Sequence, residues 1–290
     1  MGRLAWRALL LFTGLTLIAL LIGWAAGMVV RPGDGISLPT AVDAATAVPT
    51  RALTFAAVLE QAVPQSLMDA GARNDVLQVL IFSVLFGIGL AKVDGALRTP
   101  LVKVLEGVAE TMFKFIGIVM AYAPIGIGAA VAVTVAQSGI SVLRHLGVLV
   151  LTVYAALAVF ILGVLLPLAL VNRIRLREFW RIAREPSLLA FSAASSNAAL
   201  PQAMRGLEAS RVPRRIVSFV MPTALSFNLT GSTLFVAVAT LFVAQAARVS
   251  FSFSEQLAII GTLMLTTKGI AAVPRASLVI LSATLTTFGL

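Results

Sequence analysis

A polypeptide that enters hydrocarbon must pair its backbone N–H and C=O groups within itself, because lipid offers no partners and each unpaired group costs several kcal/mol. This chain is built around that constraint. Uncharged apolar runs cover residues 8–30, 115–143, 146–171 and 216–247. Each exceeds the ~18 residues that mark a membrane span. The first would extend about 34 Å as a helix, enough to cross a ~30 Å hydrocarbon core. A shorter run, residues 76–91, needs its flanks or a break to cross. With 59% hydrophobic residues the chain is no ordinary soluble domain. The N-terminal run has a basic flank, Arg3 and Arg7, but it is too long for a secretion signal and lacks a small-x-small cleavage site, so it reads as a span.

Charge follows the same logic. The chain has 22 Lys and Arg against 12 Asp and Glu, a formal net charge of +10. In a soluble protein that excess would suggest nucleic acid. Here it is topological, because basic residues are retained on the cytoplasmic side of a membrane. With the N-terminus inside and spans alternating, most basic residues fall inside, including the cluster from Arg173 to Arg215. Only Arg31, Arg51, Arg73, Arg144 and Arg248 fall outside. No nucleic-acid partner is expected. The absence of cysteine excludes disulfides and thiolate metal sites.

Two apolar stretches are interrupted by polar residues. The segment Ser195-Ser196-Asn197-Ala198-Ala199-Leu200-Pro201 gathers hydroxyls and an amide in a region without charge. Both of its ends fall on the inside, so it reads as a re-entrant hairpin over residues 185–208. A second copy follows: Lys268-Gly269-Ile270-Ala271-Ala272-Val273-Pro274 echoes "NAALP" with "IAAVP". It belongs to a hairpin entered from outside, residues 256–290. Paired broken segments of opposite orientation are what an inverted-repeat carrier uses, with its site where the tips meet. Hairpin tips leave helix-end N–H groups unpaired, and these suit anions. Between the hairpins, residues 216–247 carry Asn228 and Gly231 near the middle of a span. An unwound turn there would expose carbonyls beside the Asn228 amide oxygen, the oxygen donors that a hard cation takes.

These observations predict an all-α polytopic membrane protein with about five membrane-spanning helices plus two re-entrant helical hairpins of inverted orientation. No soluble domain and no long linker is visible. The organisation falls into residues 1–171 and residues 172–290, the latter holding both hairpins and the interrupted span.

The three motifs "AFSAASSNAALPQAM", "PTALSFNLTGST" and "TTKGIAAVPRASLVIL" resemble the serine-rich first hairpin, the unwound segment and the second hairpin of the dicarboxylate/amino acid:cation symporter family, which includes the glutamate transporters. The resemblance covers nearly the whole chain. It implies a glutamate-transporter-like fold, a homotrimer in the cell inner (plasma) membrane, scaffold and oligomerisation helices with part of the transport core within residues 1–171, and the transport core with both hairpins and the unwound span within 172–290. It implies a symporter for a small dicarboxylate or acidic amino acid, with C4-dicarboxylates favoured, driven by Na+ or H+ and needing no cofactor. By matching position, Ser195, Ser196 and Asn197 would surround a substrate carboxylate, and Leu229, Ser232, Val273 and Ser277 would enclose the substrate. Ala224, Ser226, Asn228, Thr267, Lys268 and Ile270 would offer cation ligands, mostly backbone carbonyls.

The departures from the family pattern carry expectations too. Thr230 stands where the family has an aspartate. Phe12 and Leu15 stand where well-studied sodium-coupled members have tyrosine and threonine, and only Thr16 keeps a hydroxyl. One sodium site is therefore expected to be lost. The family also has two spans before residue 1 and one after residue 290, so the sequence reads as truncated at both ends.

Other classes fare worse. An intramembrane metalloprotease needs paired histidines, and this chain has His145 alone and no H-E-x-x-H. An aspartyl protease needs two intramembrane aspartates, yet Asp34, Asp43, Asp69, Asp75 and Asp94 fall in loops or at span ends. No base for Ser195 or Ser196 is evident. A passive channel or an inactive fragment is the remaining alternative to a carrier. Two outcomes are expected. A sodium titration should show fewer than three ions per substrate, and three would refute the lost site. The 290-residue chain alone should not transport, and robust uptake by it would overturn the truncation reading.

Overall fold

In the computed structural model every described element is helical. The description covers residues 2–35, 66–72, 76–193, 195–267 and 281. The elements are α1 (Gly2–Val30), α2 (Leu67–Ala72), α3 (Val76–Ala91), α4 (Gly95–Ala121), α5 (Ala123–Ser138) and α6 (Ser141–Phe160). A π-helical stretch, Ile161–Leu165, continues α6 into α7 (Leu166–Val171). Then follow α8 (Leu176–Ser192), α9 (Ser196–Ala209), α10 (Arg214–Phe227), α11 (Thr230–Ala246) and α12 (Phe253–Thr266). Among the described residues, three segments are long and apolar enough to cross a membrane: Leu4–Val30, Ser141–Val171 and Arg214–Ala246. Shorter apolar helices cover Ile81–Ala91, Pro124–Val133 and Phe253–Thr266. The architecture is that of an all-α membrane protein.

One expected span differs. Residues 115–143 do not form a single helix. The chain turns at Tyr122, where Pro124 in the first turn of α5 has no N–H to continue the ladder. It turns again at Gly139, whose φ of +78° suits glycine alone. The mixed-charge stretch 96–114 is continuous with residues 115–121 in α4, with Lys114 and Glu110 paired at 3.5 Å on an exposed face. The short helix expected at residues 55–63 and the tip of the second hairpin lie outside the described residues.

The core is organised around α11, an uncharged helix of small and β-branched residues buried nearly all round. On one side, Val236, Ala237 and Leu241 pack with Leu20 and Trp24 of α1 and with Ile259 and Leu263 of α12. On the other, Leu234 and Val238 pack with Leu15 and Ala19 of α1 and with Ala156 and Phe160 of α6. Lipid tails are as apolar as these side chains, so close approach rather than hydrophobic transfer must hold such helices together. Gly23 and Gly27, four residues apart on α1, allow it. A Cβ on Gly23 would lie 2.8 Å from the Leu234 carbonyl oxygen, and one on Gly27 would lie 2.8 Å from Leu241 Cδ1. Gln245 closes the far end of the contact: its Nε2 donates to the Gly27 carbonyl at 2.9 Å, and its Oε1 accepts from the Gly33 N–H at 3.0 Å. Trp24 Nε1 donates to Gln256 Oε1 at 3.2 Å and ties α1 to the start of α12.

Three helix ends share one device. Arg173, Arg211 and Arg248 adopt positive φ, the left-handed conformation that glycine usually supplies after a helix. In each case the next N–H reaches back to the carbonyl five residues earlier: Ile174 to Ala169 at 2.9 Å, Val212 to Leu207 at 3.2 Å, Val249 to Ala244 at 2.9 Å. The left-handed backbone costs a non-glycine residue about 1–2 kcal/mol. Arginine offsets part of this by placing a cation at the negative end of the helix dipole, with a stem long enough to reach the lipid headgroups.

The first hairpin is present. α8 and α9 pack side by side, Gly206 lets Ile182 sit against the α9 backbone, and Gln202 Nε2 donates to Glu185 Oε2 at 3.1 Å. Its first arm starts at Leu176, so it takes in part of the basic run that precedes residue 185.

The glycine contact generates a paired expectation. Gly23→Ala should lower the detergent melting temperature, at a cost of about 1–3 kcal/mol from overpacking. Gly14→Ala on the same helix, where nothing lies within 4 Å, should leave it unchanged or raise it. Equal effects at both positions would contradict the close-packing account.

Candidate functional site

The α8–α9 turn puts Ser195 in an extended conformation (φ −150°, ψ 119°) as the residue capping α9, with no hydrogen bond from its side chain to the helix end. Ser196 opens α9. The first turn of a helix leaves N–H groups without intrahelical partners and carries about half a positive charge.

Facing this turn is the interruption in the long span. α10 ends at Phe227, Asn228 (φ −133°, ψ 50°) and Leu229 (φ −82°, ψ 58°) leave helical geometry, and α11 begins at Thr230. The Asn228 N–H still reaches the Ala224 carbonyl at 2.8 Å. The Leu229 carbonyl accepts both the N–H and the hydroxyl of Thr233, at 3.0 and 3.1 Å. The Phe227 carbonyl accepts from Thr16 Oγ1 of α1 at 3.4 Å, while the shorter bond of that hydroxyl, 2.7 Å, goes to the Phe12 carbonyl. Thr16 is thus a buried hydroxyl on α1 beside the buried Phe12 and Leu15.

A cavity of about 400 Å³ separates the hairpin from α10 and the interruption. Of the expected site residues, Ser196, Ala224, Asn228 and Leu229 line it together. Ser195 stands half-buried beside Ser196, while Asn197 and Ser226 are exposed and Ser232 is half-buried, away from the cavity wall. Thr267 caps the end of α12 and is buried. Lys268, Ile270, Val273 and Ser277 lie outside the described residues.

Part of the wall, Phe179, Ile182 and Pro186, lies outside the sequence motifs. Phe179, Ile182, Pro186, Ala190, Met221 and Leu225 supply an apolar lining from α8 and α10. The signal for α8 was the spacing 179, 182, 186, 190, one face of a helix, but a face alone does not say what it surrounds. Among the described residues, no Asp, Glu, Lys, Arg or His lines the cavity. From these residues an anion there would meet helix-end dipoles and hydroxyls.

Two buried side-chain oxygens have no hydrogen-bond partner among the described residues: Asn228 Oδ1 and Thr267 Oγ1. Such a group costs about 1–3 kcal/mol. The contrast with neighbouring threonines is sharp. Thr233, Thr240, Thr262 and Thr266 each donate to the carbonyl four residues back, whereas Thr267 does not. Oxygen atoms of this kind are the donor type that hard cations take. Among the described residues no cluster of His, Cys, Asp or Glu could hold a metal ion.

Comparison with known proteins places the chain. The model of the sodium:dicarboxylate symporter family matches residues 1–290. The proton/glutamate-aspartate symporter of Escherichia coli K12 is 38% identical over 301 residues, spanning 100% of this chain and 68% of the relative. The proton/sodium-glutamate symport protein of Bacillus caldotenax is 36% identical over 300 residues, spanning 100% of this chain and 70% of the relative. The C4-dicarboxylate transport protein of Anaeromyxobacter sp. strain K is 38% identical over 296 residues, spanning 99% of this chain and 66% of the relative. These are transport proteins, not enzymes. A hairpin whose tip faces an interrupted span, in an apolar helical chain matched from end to end, marks this protein as a member of the sodium:dicarboxylate symporter family.

Proposed function

We propose that the protein carries a small dicarboxylate or acidic amino acid across the inner (plasma) membrane together with Na+ or H+. The observation that carries this reading is the single cavity lined by both Ser196 of the hairpin and Asn228 of the interrupted span. A carboxylate at the α9 N-terminus would meet the Ser195 and Ser196 hydroxyls and the positive end of the helix dipole. A cation near the interruption would meet the unpartnered Asn228 Oδ1 and carbonyls released from the helix ladder, and its charge would offset the substrate's in a wall whose described residues carry none. Thr267, with its free buried hydroxyl, is the matching candidate on α12.

The names of the relatives support both substrate classes: glutamate and aspartate for the E. coli protein, C4-dicarboxylates for the Anaeromyxobacter protein. C4-dicarboxylates are favoured on the character of the three motifs. For the cation, Phe12 and Leu15 fill the surroundings of Thr16 with hydrocarbon, and Thr16 spends its hydroxyl on backbone carbonyls. That supports coupling to protons or to fewer sodium ions. A homotrimer would cover part of the apolar surface left open on α4 and α5, where Leu97 and Ile125 are 66% and 73% exposed.

Binding of labelled succinate and labelled aspartate to the purified chain in proteoliposomes, with sodium and pH varied, tests the reading. Succinate should bind more tightly than aspartate, and removal of the coupling cation should weaken both. Cation-independent binding, or none of either compound, would count against it. Asn228→Ala should leave the cation-free melting temperature unchanged or raised, because a buried unpaired oxygen is removed. The same variant should lose the shift in melting temperature produced by the cation. Retention of that shift would exclude Asn228 as a ligand.

A further inference from the structure

The hairpin arm α8 has two faces with different chemistry. One faces the cavity through Ile182, Pro186 and Ala190. The opposite face has no protein cover among the described residues and carries, in order, Arg177, Trp180, Arg181, Arg184, Leu188 and Phe191. At 3.6 residues per turn these six fall within about 100° of arc. All are exposed: Trp180 by 66%, Leu188 by 69% and Phe191 by 80%.

Order along the axis is the informative feature. The arginines occupy the end nearest the start of the helix, tryptophan lies among them, and only apolar side chains follow towards the hairpin tip. Phe191 is about 16 Å along the axis from Trp180, close to half of a ~30 Å hydrocarbon core. Tryptophan favours the membrane interface and arginine the cytoplasmic headgroups. Acidic side chains nearby are few and engaged: Glu178 with Arg175 at 3.4 Å and Glu185 with Arg184 at 3.7 Å. Arg177 and Arg181 have no ion-pair partner among the described residues. A solvated helix face would not place Leu188 and Phe191 beyond the charges. A protein-covered face would not leave two guanidinium groups, those of Arg177 and Arg181, without matching carboxylates.

We propose that this outer face of α8 is a docking surface for anionic phospholipids of the cytoplasmic leaflet, with Arg177, Arg181 and Arg184 on the headgroup phosphates and Leu188 and Phe191 against the acyl chains. Guanidinium groups suit phosphate through paired N–H donors. Bound lipid would fix the depth at which the hairpin tip, and with it Ser196, is held. The inference concerns the opposite side of α8 from the cavity, so it does not depend on the substrate reading.

Tryptophan quenching tests it. The chain has three tryptophans, so the Trp180 signal is the difference between the parent and Trp180→Phe, measured in zwitterionic nanodiscs containing a small fraction of brominated lipid. Brominated phosphatidylglycerol should quench Trp180 at least about twofold more than brominated phosphatidylcholine, as expected of a basic surface facing anionic headgroups. R177Q/R181Q/R184Q should abolish the excess, while R214Q/R215Q, on α10, should leave it in place. Equal quenching by the two lipids would reduce the surface to ordinary lipid contact and overturn the proposal. So would an excess that survives in R177Q/R181Q/R184Q or disappears in R214Q/R215Q. Absence of quenching by either lipid would mean that protein covers this face, and would overturn it as well.

Discussion

Backbone groups that leave the helix ladder inside hydrocarbon must find partners or water, and that requirement shapes the whole protein. Besides the turns at Tyr122 and Gly139, the structure breaks the ladder at the hairpin turn beside Ser195 and at Asn228-Leu229. Both breaks lie against the same cavity. A polar interruption is tolerable when another interruption faces it, because the two then share a space that lipid does not fill. The cavity is therefore the condition under which both breaks can exist, and the groups that the breaks release are those proposed to meet substrate and cation.

Holding two breaks in register demands a rigid support. α11 provides it, since it continues directly from the interruption and is buried against α1, α6 and α12. The contact with α1 depends on the missing side chains of Gly23 and Gly27, which let α11 come close enough for dispersion to act without solvent exclusion. Thr16 then extends the support to the break itself, through its hydroxyl on the Phe227 carbonyl. α1 thus positions the site without lining it.

Much of this was readable in one dimension. Uncharged runs give spans because length and hydropathy are properties of a segment alone. The polar interruption "SSNAALP" and the Asn228 region declared themselves as costly groups in a cheap environment, and both became breaks in helices. The run over residues 115–143 misled, because hydropathy does not register the missing N–H of Pro124 or the positive φ of Gly139. The apolar lining of the cavity was equally silent. Phe179, Ile182 and Met221 look like ordinary membrane side chains until the hairpin folds over α10.

What the amino-acid sequence determined by itself was the class of molecule, its family and the kind of atoms at its site, since these follow from the number, order and solvation cost of the residues. What only the tertiary structure decided was which of those atoms meet. Ser196, Ala224, Asn228 and Leu229 share one wall, whereas Asn197 and Ser226, one or two positions away in sequence, do not. A helix advances its side chains by about 100° per residue, so neighbours in sequence point to different surroundings. The packing of α8, α9 and α10 then selects which direction becomes the cavity.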